Sequence, residues 1–122
     1  MESVVSNNKL HVTYELSSLV IYRIWNGSSW SGELTVSENE TGTNPRIQAY
    51  FHNGDDKIYF LYKNSQTVSK WREYDVVVER FGNIKLAVDA PYLIPAGFGV
   101  NQSEIKIFYN YLSGPTMVFT FH

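Results

Sequence analysis

Apolar and polar residues alternate along most of the chain, and β-branched and aromatic side chains fill the apolar phase. This period of two predicts strands in place of helices. From Leu10 to Glu15, Leu10, Val12 and Tyr14 share one face and His11, Thr13 and Glu15 the other, so the apolar face is expected to be the buried one. A strand from about Leu19 to Trp25 ends at the tight-turn signal Asn26-Gly27-Ser28-Ser29, and Trp30 to Val36 is expected to lead back as its partner. Ser37 to Asn44 is polar and lacks an apolar anchor, which predicts an exposed loop. Pro45 then precedes a strand from Arg46 to His52, which turns at Asn53-Gly54-Asp55-Asp56 into Lys57 to Lys63. Further strands are expected over Ser69 to Val78 and Asn83 to Val88. Tyr92 to Val100 is extended but interrupted by Pro95, Gly97 and Gly99, and Glu104 to Asn110 and Thr116 to Phe121 complete the series.

Three segments repeat one pattern. Leu10-His11-Val12-Thr13-Tyr14, Ile58-Tyr59-Phe60-Leu61-Tyr62 and Ile105-Lys106-Ile107-Phe108-Tyr109 each run aliphatic, any, apolar, any, tyrosine, at successive offsets of 48 and 47 residues. Pro45 and Pro91 each precede the strand before this pattern, and Trp25, Trp71 and Phe119 lie in the strand after it. A period in the forties is the size of a four-stranded propeller blade. On this reading the chain is one all-β antiparallel domain over residues 1–122. It holds roughly two and a half blades, while at least about four are needed to close a ring. Homo-oligomerisation into a dimer or trimer would complete it, or the chain is a fragment of a larger protein, because open sheet edges must be paired. The alternative is a β-sandwich, whose alternating strands also look alike over five residues.

The hairpin Trp25-Asn26-Gly27-Ser28-Ser29-Trp30, followed by Gly32 and preceded by a strand ending in Tyr14, resembles a blade of the small fucose-binding β-propeller lectins. The resemblance implies sugar sites between neighbouring blades. The family's arginine on the inner strand and its glutamate three residues before the first tryptophan fall on His11 and Tyr22, and the stacking tryptophan falls on Trp30. Only the stacking position keeps the family's residue, and Asn26 replaces the aspartate of the hairpin motif. The resemblance therefore implies a blade architecture and carbohydrate binding in general more than fucose in particular.

Composition removes several alternatives. Of 122 residues, 43% are hydrophobic and 16% aromatic, the formal charge is -2, and there is no cysteine. Such a chain has apolar surface enough to offset ordering entropy, so disorder is excluded, and so are a disulfide scaffold and thiol catalysis. Near-neutral charge argues against nucleic acid as a partner. No window approaches the ~20 apolar residues of a membrane helix, and the N-terminus has neither the basic nor the apolar region of a signal peptide. A soluble protein is expected, in a compartment the sequence does not specify.

Carbohydrate binding uses flat apolar faces for stacking and polar groups to fix hydroxyls. The candidate ligand-binding residues are Trp30, Trp25, Arg23, Tyr22, His11 and Trp71, with Trp30 beside its turn and Arg23 and Glu33 nearby the most site-like cluster. Packing of the hairpin is the competing role for Trp25 and Trp30. Lys70 and Arg72 alternate away from Trp71 and are expected to form a solvated strand face. Asp55-Asp56 is assigned to its turn. The three dispersed histidines lack zinc-ligand spacing, and nucleophile-elbow, P-loop and dinucleotide motifs are missing. The expectation is a non-catalytic module with no metal and no cofactor that binds a glycan. A structural or assembly protein, such as a virion or surface component whose aromatics serve subunit contacts, is the alternative.

Overall fold

The computed structural model describes residues 1–89, 93–100, 105–111 and 116–121, and every regular element among them is a strand. In chain order these are β1 (Glu2–Ser6), β2 (Lys9–Leu16), β3 (Leu19–Trp25), β4 (Leu34–Thr35), β5 (Thr43–His52), β6 (Asp55–Lys63), β7 (Val68–Asp75), β8 (Arg80–Phe81), β9 (Lys85–Asp89), β10 (Leu93–Val100), β11 (Ile105–Tyr111) and β12 (Thr116–Phe121). They form three antiparallel sheets, each a run of chain neighbours. The first is β1-β2-β3-β4, the second β5-β6-β7-β8 with β9 also paired to β7, and the third β10-β11-β12.

Three tight turns set the registers. Asn7-Asn8 (φ 51° and 60°), Ser17-Ser18 (51° and 62°) and Asn53-Gly54 (50° and 87°) are left-handed at both positions, the geometry that matches the twist of paired strands. They bring Ser6 opposite Lys9, Leu16 opposite Leu19 and His52 opposite Asp55. Asp55 and Asp56, expected in the turn, are instead the first residues of β6. β1 was not foreseen in the sequence. Arg46 lies just past a register irregularity in β5 that accommodates Pro45, and β10 carries a similar shift between Pro95 and Gly97. The expected returning strand from Trp30 to Val36 contracts to β4 and a single bridge between Trp25 and Trp30.

Opposed residues share a face, so the first sheet has an inner face with His11, Thr13, Val20 and Tyr22 and an outer face with Leu10, Val12, Tyr14, Ile21, Arg23 and Trp25. The inner face packs on Ile58, Phe60, Tyr62 and Tyr74 of the second sheet, joined by Ile47, Val36 and Val76. Tyr22 is the centre of this core, edge-on to Phe60 at 4.8 Å and to Tyr74 at 5.2 Å between ring centroids. Each fully buried large side chain here contributes roughly 1.5–3 kcal/mol. The expectation for β2 is thereby corrected. His11 and Thr13 are fully buried, while on the apolar face only Val12 is buried and Leu10 and Tyr14 are half-buried, because the polar phase is the one that meets the second sheet. Thr13 resolves its hydroxyl by donating to the Ile21 carbonyl at 2.9 Å, and His11 Nδ1 lies 2.7 Å from the Tyr22 hydroxyl.

Two further expectations fail for the same reason. Ser37 to Asn44 is not a free loop: Ser37 is buried and accepts the Val20 N–H at 3.0 Å, and the Gly42 N–H donates to Ser18. Arg72 is not on a solvated face but buried between the sheets at 7% exposure. Its Nε donates to the Gly82 carbonyl at 2.7 Å, Nη1 to the Val36 carbonyl at 2.8 Å and Nη2 to Glu38 at 2.7 Å. Its neighbour on that face, Lys70, reaches Glu40 at 2.7 Å. Both side chains thus tie the second sheet to the segment that follows β4.

β5 touches β1, β2 and β10, and Glu2 fixes the first contact by accepting from Arg46 Nη1 at 3.0 Å and from the Ile47 N–H at 3.1 Å. Each sheet thus meets the next in chain order. The three repeated segments lie on β2, β6 and β11, the second strand of each sheet. Among the described residues no helix is long and apolar enough to cross a membrane.

Candidate functional site

The segment after β3 is built by one side chain. Asn26 Oδ1 accepts from the Ser28 and Ser29 N–H groups at 2.9 and 3.0 Å and from the Ser28 hydroxyl at 3.1 Å, an Asx turn that needs an acceptor of this length. Gly27 takes φ 103°. Ser31 then locks the return, its hydroxyl accepting the Ile24 N–H at 2.9 Å and its own N–H donating to the Ile24 carbonyl at 2.8 Å. This fixes Trp30 beside Trp25, with ring centroids 5.3 Å apart, and the Arg23 guanidinium 5.4 Å from the Trp30 ring. Arg23 Nε donates to the Ser31 carbonyl at 3.1 Å. Trp30 stays 44% exposed.

On the second sheet the matching turn is also an Asx turn, Asp75 Oδ1 accepting from the Val77 and Val78 N–H groups at 3.0 and 3.2 Å. Glu79 follows at φ 57°. Between the two turns lies a cleft of about 240 Å³, lined by Lys9, Ile24, Asn26, Ser29, Trp30 and Ser31 from the first sheet and Tyr74, Val76 and Glu79 from the second. Ile24 and Val76 supply apolar lining, and the Lys9 ammonium, the Glu79 carboxylate, the Ser29, Ser31 and Tyr74 hydroxyls and the Trp30 ring line it as well. Burial raises the Tyr74 phenol above its ordinary pKa, reinforced by Glu79 and Asp75, so Tyr74 is a neutral hydroxyl at physiological pH.

Of the six candidates from the sequence, the structure brings Trp30, Trp25 and Arg23 together, but only Trp30 lines the cleft, Trp25 and Arg23 lying on the outer face of the first sheet. Tyr22 and His11 are fully buried in the intersheet core. Burial pushes the Tyr22 phenol up and the His11 imidazole down, while the Ser6 backbone and the Asp56 charge pull His11 weakly the other way. Both are therefore neutral structural groups. Trp71 lies on the opposite face of the second sheet, under the Lys85 ammonium at 4.6 Å and beside Tyr59 at 6.1 Å. Lys9, Ser29 and Glu79 were not singled out. Lys9 follows the Asn7-Asn8 turn, but its counterpart Glu79 comes from another sheet, and alternation within a strand carries no signal of such a meeting. Among the described residues no cluster of three histidine or acidic side chains could hold a metal.

Comparison with protein-family models and with curated protein sequences finds no match. The arrangement sets one half-exposed aromatic ring beside several polar ends placed by backbone-locked turns.

Proposed function

We propose that the protein is a non-catalytic carbohydrate-binding module whose three sheets are successive propeller blades, with a homo-oligomer of two or three chains completing the ring. The observation that carries the reading is the half-exposed Trp30, held against Trp25 and Arg23 at the mouth of the intersheet cleft. A large apolar ring left in solvent and fixed by its neighbours costs little further ordering when a sugar stacks on it. The cleft's Lys9 and Glu79 supply charged hydrogen bonds of both polarities for hydroxyls. Sheets that stack in chain order, each from sequence-adjacent antiparallel strands, support the blade reading over a sandwich. The test is a glycan array followed by isothermal titration of each hit, with Trp30→Ala and Lys9→Ala as controls. Binding that falls about tenfold or more in Trp30→Ala is expected from the loss of one stacking face. A wild-type protein that binds no glycan on the array, or one whose affinity ignores both substitutions, sinks the proposal.

A further inference from the structure

Among the described residues, Arg46 is paired with Glu2, Lys57 with Glu73, Lys70 with Glu40 and Arg72 with Glu38, while Arg23 and Lys85 lie over tryptophan rings. The charges of the intersheet cleft are placed differently. Lys9, half-buried at the start of β2, lines it from the first sheet, and Glu79, exposed after the Asp75 turn, lines it from the second. Among the described residues neither has an ion-pair partner, and no ion pair joins one to the other.

Both charges act on groups between the two sheets. The Tyr74 phenol on the cleft wall is raised first by burial and next by the Glu79 carboxylate. The His11 imidazole behind it is lowered first by burial, and the Lys9 ammonium adds to that, against the opposite pull of the Ser6 backbone and Asp56. An ammonium half withdrawn from water with no carboxylate beside it gains most from an anion that brings its own acceptors. Hydroxyls alone leave both charges without a counter-charge. At about 240 Å³ the cleft lies below the roughly 300–1,000 Å³ of sites for drug-sized ligands, which suits a single sugar ring.

We infer that the cleft selects a sugar carrying charge of both signs, its carboxylate on Lys9, its ammonium on Glu79 and its ring against Trp30. The inference deepens the carbohydrate reading above and rests on it. A sugar with one charge satisfies one head and brings a like charge toward the other, whereas a zwitterionic one neutralises both. Lys9 is the stronger of the two, because water and salt screen the exposed Glu79 more.

Four pyranoses that differ in charge test it at pH 7: glucose, glucuronic acid, glucosamine and muramic acid, which carries both a carboxylate and an amine. Heteronuclear NMR titrations, followed at the Trp30 indole N–H, measure their affinities for the wild type, Lys9→Met and Glu79→Gln. Lys9→Met keeps the aliphatic stem, Glu79→Gln keeps the side-chain length, and circular dichroism checks that both fold. Expected is muramic acid binding about tenfold more tightly than glucose. Lys9→Met should weaken the two acids about tenfold, and Glu79→Gln the two amines about threefold, each changing the other two sugars by less than about twofold. Glucose that binds as tightly as muramic acid, or variants that weaken all four sugars equally, overturn the charge matching and leave the carbohydrate reading. Binding of none of the four, with other glycans still bound on the array, also overturns this inference alone. An array without any hit removes both.

Discussion

Replacing Arg72 should cost more stability than any other change to a charged side chain among the described residues. Its guanidinium makes three hydrogen bonds, two of them to the main-chain carbonyls of Val36, just past β4, and Gly82, just past β8. Charge-assisted bonds of this kind are worth roughly 1.5–3 kcal/mol each, and the carbonyls left behind add their own desolvation cost. The third bond goes to Glu38, whose side chain is 58% exposed, so its pairing is worth at most about 1 kcal/mol after solvent screening. Arg72→Ala is thus expected to destabilise by about 3–5 kcal/mol, a large part of the ~5–15 kcal/mol typical of a domain. Arg72→Lys keeps the charge, but one ammonium cannot span two sheets as a planar fork does, so about half of that loss should remain. Glu38→Gln should change stability by less than about 1 kcal/mol. Urea unfolding followed by circular dichroism and tryptophan emission measures all three. A cost below about 1 kcal/mol for Arg72→Ala, or equal costs for Glu38→Gln and Arg72→Ala, would refute the claim that the main-chain bonds dominate.

Other consequences are equally direct. A β-carbon on Gly42 would lie 2.7 Å from Val20 Cγ2 and 3.2 Å from Tyr62 Cδ2, so Gly42→Ala should cost about 1–3 kcal/mol by overpacking. The Val20→Ala background should relieve that cost in a double-mutant cycle. Burial lowers the pKa of His11 from its ordinary 6.5. The unfolded chain then takes up a proton that the folded form refuses, so stability should fall as pH drops below about 6.5 and level off below the folded-state value. His11→Gln should flatten that slope in urea midpoints measured from pH 5 to 8; an unchanged slope would remove His11 as its source. Asn26→Ala deletes the acceptor of three hydrogen bonds at the hairpin, and faster acrylamide quenching of the Trp25–Trp30 pair, read in a Trp71→Phe background, is the expected result.

The all-β class was legible because β-branched and aromatic residues dominate the chain and segments such as β2 alternate strictly between apolar and polar. What alternation could not say is which phase faces a neighbour. In β2 Val12 of the apolar phase is buried, yet Leu10 and Tyr14 are not, and His11 and Thr13 of the polar phase are fully enclosed, since burial there is decided by a sheet from later in the chain. Arg72 misled for the same reason, a guanidinium being tolerable inside wherever carbonyls wait for it. β7 ends at Asp75, short of the apolar run Val76-Val77-Val78, because the aspartate carboxylate captures the next two N–H groups into a turn. The Trp25–Trp30 hairpin could be read directly, its geometry being local. The cleft could not, because its two rims are some fifty residues apart in sequence.

Because each sheet pairs strands that are close in the chain, most hydrogen-bonded partners are found by closing loops of only a few residues. Loop-closure entropy is then small at each step, and the folding rate should exceed that of Greek-key β proteins of equal length. The sheets can form separately and dock afterwards, in the manner of a nearest-neighbour array. Amides of β6, an interior strand of the second sheet with most of its side chains buried, should exchange with solvent last, and those of the edge strand β1 early. A chain put together in this way grows by adding like units to an end, which is also how its length could change without redesign of its interior.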